Sequence, residues 1–243
     1  MVTIIAFTTF VSTLLGGLFA LRFKDKLHLV LGFSAGAIVS VAFFDLLPEA
    51  IALGSKFYEP RIIIQFAALG FLVYLVMDRL MFFHAQEEDA SHKTHTPHAH
   101  SGVLGAGSLA LHSFLDGVAI GLAFQVSAAV GAVVAIAVLV HDFSDGINTV
   151  NMILKNDGSQ RFAFQWLIVD ALAPVLGALS TLFFSLPEQV LAIVLSTFAG
   201  FFLYIGATDL IPESHHAHPK IITTVMTLLG SAVLYIAIRF AGG

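Results

Sequence analysis

The sequence predicts an all-α integral membrane protein with eight transmembrane helices, and three observations carry that prediction. The 243 residues are 58% hydrophobic and only 11% charged, where a soluble domain carries about 25% charged residues. The mean hydropathy is +0.92, and a water-soluble fold of this size has too little interior to hide so much apolar surface. The apolar residues also come in long runs, as a bilayer demands: about 20 residues are needed to cross about 30 Å of hydrocarbon. The chain reads as one transmembrane domain over 1–243.

The first run, 2–21, starts at Val2 without a basic stretch before it or a small-residue cleavage site, so it reads as a retained helix and not a signal peptide. The second, 28–53, contains Ala35 and Gly36 and ends in DLLPEA, where Pro48 is expected to interrupt it. The third covers 60–84. After it comes the one long polar segment, 86–101, flanked and filled by His84, His92, His95, His98 and His100. With almost no apolar content it reads as a disordered His-rich loop. The fourth and fifth runs, 102–125 and 127–154, carry most of the ionisable residues. The sixth, 161–185, holds Asp170 and a Pro174 expected to kink it. The seventh, 188–213, contains Ala199 and Gly200 and ends in DLIPES, with Pro212 as its expected interruption, and the eighth covers 220–241.

Runs two and seven share a pattern. The Ala-Gly pair and the Asp-Leu-x-Pro-Glu end each recur 164 residues later. The two copies are five helices apart in register, an odd offset, so they are expected to cross the membrane in opposite directions. Inverted repeats of this kind, here helices 1–3 and 6–8, are typical of transporters. Orientation follows from basic residues. With the N-terminus outside, the inner loops hold Arg22, Lys24, Lys26, Arg79, Lys93, Lys155, Arg161 and Lys220, and the outer ends hold Lys56, Arg61 and Arg239. That bias predicts a multi-pass protein of the cell membrane with both termini outside and the His-rich loop in the cytoplasm.

Ionisable groups in a bilayer cost about 2.5–3.5 kcal/mol each on insertion scales, so they are functional candidates by default. Helix four carries His112 and Asp116, and helix five carries His141, Asp142 and Asp145. His112 and Asp116 are four apart and share one helix face, as do His141 and Asp145. Each pair is followed by glycine, giving two copies of His-x-x-x-Asp-Gly. Two imidazoles and two carboxylates form a complete tetrahedral set for Zn²⁺ and suit Fe²⁺, Mn²⁺, Co²⁺ or Cd²⁺ as well. Asp142 is placed to serve a second ion with Asp145 bridging, and Ser113 and Asn148 offer neutral oxygens. Metal entry is expected to release protons, and acid to weaken binding. Asp45, Glu49, Asp209 and Glu213 stand near helix ends, where they line an entrance or exit or serve only as helix-end groups. His215, His216 and His218 follow Glu213, with which they form either a release site or a solvated polar loop. The chain has no cysteine, which excludes thiolate sites and disulfides. No basic stripe suggests nucleic acid. The alternative reading is an intramembrane zinc-dependent hydrolase, with Asp142 as general base.

The segments HSFLDGVAIGLAF (112–124) and HDFSDG (141–146), with the DLLPEA and DLIPES helix ends, resemble the ZIP family of divalent metal transporters. The resemblance extends over essentially the whole chain. It implies a 3+2+3 helix arrangement, transport and not enzymatic catalysis, an elevator-like movement and a homodimer. It also implies a primary metal site at His112, Asp116, His141 and Asp145, a secondary one at Ser113, Asp142 and Asp145, and Asp170 as the sixth-helix acid. The transported substrate would be Zn²⁺ or another divalent metal. The sequence departs from the family pattern at Ser113, where Asn is common, at Ser144, where Pro or His is usual, and at Asp145, where Glu is frequent.

Overall fold

A chain in hydrocarbon must satisfy every backbone N–H and C=O within its own segment, which leaves the helix as the solution for apolar runs of this length. The computed structural model describes residues 2–22, 27–91, 99–216 and 221–241. Among these, eight helices are long and apolar enough to cross a membrane. They are α1 (Val2–Arg22), α2 (27–54), α3 (Pro60–Ser91), α4 (Ala99–Val126), α5 (Ala128–Lys155), α6 (Gln160–Ser180), α7 (188–216) and α8 (Ile221–Ala241). The protein is therefore an all-helical, multi-pass membrane protein.

Several boundaries differ from the sequence reading. Helix α3 runs on to Ser91 and α4 starts at Ala99, so of the His-rich segment 86–101 only 92–98 lies outside the described residues. Helix α6 ends earlier than expected and closes in a 3₁₀ turn, Thr181–Phe183. Only Ser127 separates α4 from α5, and its hydroxyl accepts a hydrogen bond from the Val130 N–H to cap α5. Pro174 lies inside α6 without ending it.

The expected interruptions of α2 and α7 are π-helical turns inside continuous helices. They span Ala42–Leu46 and Ile205–Leu210, each just ahead of its proline. The Leu47 N–H reaches the Ala42 carbonyl, and the Ile211 N–H reaches the Gly206 carbonyl, five residues back in both cases. A proline has no N–H to give, and its ring crowds the carbonyl four residues before it. A widened turn at that point absorbs the misfit and keeps the helix going.

The helices fall into two sets. Helices α1, α4, α5 and α6 pack on one another, and α2, α3, α7 and α8 pack on one another; the sets meet chiefly along α2–α5 and α3–α4. Helix α5 is the centre, with 72% of an 18-residue apolar stretch buried, while α8 has 17% and turns Leu228, Leu229, Val233 and Ile236 outward. Lipid is as apolar as leucine, so association depends on close packing and interhelical hydrogen bonds. Ser12 donates to the Leu139 carbonyl at 2.7 Å and Ser34 to the Val140 carbonyl at 2.9 Å, tying α1 and α2 to α5.

Close packing comes from glycines that meet facing backbone, and these contacts occur in matched pairs. A side chain at Gly36 would strike the Thr227 carbonyl, and one at Gly200 the Ala67 carbonyl. Gly230 faces Phe33 in the same way that Gly70 faces Thr197. Gly16 faces Phe143 as Gly177 faces Phe114, and Gly146 faces Thr13 as Gly117 faces Pro174. The α1–α5 contact thus matches α6–α4, and α2–α8 matches α7–α3.

Candidate metal centre

Helices α4 and α5 place their two His-x-x-x-Asp faces against each other. One ligand atom from each of His112, Asp116, His141 and Asp145 lies within 4.8 Å of the other three, and all four residues are buried. His112 Nε2 and His141 Nε2 are each 3.0 Å from Asp116 Oδ2. Their separations from Asp145 Oδ2 are 3.7 and 3.9 Å. A tetrahedral ion with bonds of about 2.0–2.2 Å sets its ligands about 3.3–3.6 Å apart, and the four His–Asp separations bracket that spacing. Two carboxylates and two neutral imidazoles also balance a divalent charge, which suits a region where net charge is costly.

The groups around the cluster orient it. His141 Nδ1 lies 3.0 Å from the Ala137 carbonyl; donating a proton there leaves Nε2 as the lone-pair nitrogen facing the site. The Phe202 ring meets the His141 ring edge-on at 5.7 Å, and Tyr74 meets His112 edge-on at 5.8 Å. His112 Nε2 and Asp145 Oδ2 have no hydrogen-bond partner despite full burial. Buried polar atoms are nearly always paired, so unpaired atoms converging on one point are what a cation site requires.

The remaining candidates divide. Asp142 is fully buried, and neither of its carboxylate oxygens has a partner. Ser113 and Asp170 are engaged with each other, Ser113 Oγ donating to Asp170 Oδ1 at 2.8 Å. Thr149, which the sequence reading passed over, donates to Asp170 Oδ2 at 2.8 Å. Thr149 lies one helical turn beyond Asp145. Asn148 is half-buried beside it. Asp45 sits in the first π turn with one buried oxygen unpartnered, while Asp209 accepts from Thr208 at 3.2 Å and Glu213 is exposed. His215 Nδ1 lies 2.9 Å from the Ile211 carbonyl, and the side chains of His216 and His218 lie outside the described residues. Among the described residues, none of these acids and histidines joins the four-residue cluster.

Comparison with known proteins identifies the family. A family model described as "ZIP Zinc transporter" matches residues 102–237, more than half of the chain. Zinc transporter ZupT of Shigella dysenteriae is 27% identical over 233 residues, covering 93% of this chain and 90% of that protein. Zinc transporter ZIP13 of Pongo abelii is 26% identical over 196 residues, 76% of this chain and 57% of the relative. Zinc transporter foi of Drosophila melanogaster is 27% identical over 120 residues, 49% of this chain and 17% of the relative. These relatives are named as transporters and not as enzymes. With two buried His-x-x-x-Asp faces converging inside an eight-helix membrane bundle, the chain belongs to the ZIP zinc transporter family.

Proposed function

We propose that the protein carries Zn²⁺ across the cell membrane into the cytoplasm, with His112, Asp116, His141 and Asp145 as the ligands in transit. The observation that carries this reading is the convergence of four buried ligand atoms from α4 and α5 to within 4.8 Å of one another. Fe²⁺, Mn²⁺, Co²⁺ and Cd²⁺ use the same donors and are expected as weaker substrates. Asp142, with two unpartnered buried oxygens, is the residue to serve a second ion. A hydrolase would use that same carboxylate as its base, but the relatives' names favour transport.

The movement we infer is alternating access. The matched glycine contacts support an inverted repeat in a 3+2+3 arrangement, with α4 and α5 as the central pair. The separation into two packed sets supports one set, α1, α4, α5 and α6, sliding as a body against the other. The basic-residue bias puts both termini outside, and the family resemblance implies a homodimer. Uptake of radioactive zinc into proteoliposomes tests the function. Saturable uptake is expected from the unaltered protein and none from a His141→Ala, Asp145→Ala variant; normal uptake by the variant sinks the site assignment.

A further inference from the structure

A fully buried carboxylate with both oxygens hydrogen-bonded behaves differently from one held ready for a cation. Asp170 and Asp142 show the contrast. Both have no exposed surface. Asp142 keeps two free oxygens, whereas Asp170 has spent each of its oxygens on a hydroxyl from a different helix: Ser113 on α4 and Thr149 on α5. Ser113 is the residue after His112, and Thr149 lies one turn beyond Asp145. Asp170 therefore bridges the two helices beside the ligands they carry, and it stands outside the four-residue cluster. One turn further along α6, the Pro174 carbonyl lies against Gly117, the residue after Asp116. Helix α6 thus holds α4 at two successive turns.

From this geometry we infer that Asp170 is a positioning residue: it clasps α4 to α5 through Ser113 and Thr149 and so sets the distance between the two His-x-x-x-Asp faces. A carboxylate is suited to this because it accepts from two donors at once and its bonds to hydroxyls are charge-assisted. Serine at position 113 supplies a short hydroxyl donor that reaches Asp170 directly. The Thr149 hydroxyl is committed to Asp170, so its effect on metal binding runs through Asp170.

The inference rests on the proposed zinc site but is tested separately from transport. The full chain is purified in detergent, zinc binding is measured by equilibrium dialysis with metal analysis, and the same preparations are assayed for uptake in proteoliposomes. Thr149→Val is expected to weaken zinc binding roughly 10–100-fold, the range found for outer-shell partners, and to raise the KM for uptake in parallel. Thr149→Ser, which keeps the hydroxyl, is expected to restore both. Asp170→Ala is expected to lose at least as much as Thr149→Val, and the double variant no more than Asp170→Ala alone, since the two changes break one unit. Asp170→Asn keeps an acceptor for one hydroxyl and offers its amide to the other, so it should bind as many zinc ions per chain as the unaltered protein. Unaltered binding by Thr149→Val, or loss of a bound zinc in Asp170→Asn, overturns the clasp. Tight zinc binding without uptake by the unaltered protein would instead overturn the transport reading and leave the clasp measurable.

Discussion

Helices α4 and α5 carry the same local sequence, His-x-x-x-Asp-Gly, yet the structure holds their histidines differently. His141 is fully enclosed, lies within reach of a carbonyl of its own helix through Nδ1, and packs against Phe202. His112 retains 4% exposure, has no hydrogen-bond partner on Nε2, and packs against Tyr74. The α5 ligand is preorganised and the α4 ligand has more freedom. Local sequence supplies the donor, and the neighbouring helices decide how firmly it is held.

The strongest way to break this comparison is to remove each histidine in turn. His141→Ala is expected to lower zinc affinity by at least roughly 100-fold, beyond the usual range for outer-shell partners, while His112→Ala loses distinctly less. Equal losses in a zinc-binding titration would erase the asymmetry. A smaller effect is expected from the support behind His141. Phe202→Ala empties a fully buried site, which costs about 3 kcal/mol where surroundings do not collapse. Thermal unfolding in detergent should show the loss of stability, with weaker zinc binding alongside. The smallest effect is expected at the seam between the two helix sets. Ser34→Ala removes the bonds to the Val140 carbonyl and to Ser144, both at 2.9 Å, at about 1 kcal/mol. Zinc affinity should hold while the maximal uptake rate changes, because the bonds cross a surface expected to slide. A change in affinity with no change in rate would place Ser34 with the site instead.

Much of this was legible in the chain. The apolar runs gave eight helices because length and composition suffice in a bilayer. The clustering of His112, Asp116, His141 and Asp145 followed from i, i+4 spacing, which alone puts a His and an Asp on one face. The role of Thr149 did not follow. Threonine in an apolar helix usually bonds back to its own carbonyls, as Thr13 and Thr197 do here, and nothing local marks the one that reaches another helix. The charge of Asp170 was visible in the sequence, but its two hydroxyl donors, 57 and 21 residues away, were not. The prolines of α2 and α7 were visible, but an interruption and a widened turn look alike until the backbone hydrogen bonds are known.

Those widened turns have a consequence for how the protein can vary. A π turn accommodates one extra residue, and one residue is about 100° of rotation on a regular helix. Before the turn, α2 and α7 present Gly36 and Gly200 to their packing partners; within and after it they carry Asp45 and Glu49, and Asp209 and Glu213. The turn therefore works as a phase shifter between a packing surface and an acidic tip on the same rod. Deleting a single residue there would swing the acids a quarter-turn and more while leaving the glycine seam in place. The direction in which the acidic tips point can thus change in one genetic step, with the buried residues beyond the turn, Ala50 and Ser214 among them, left to repack.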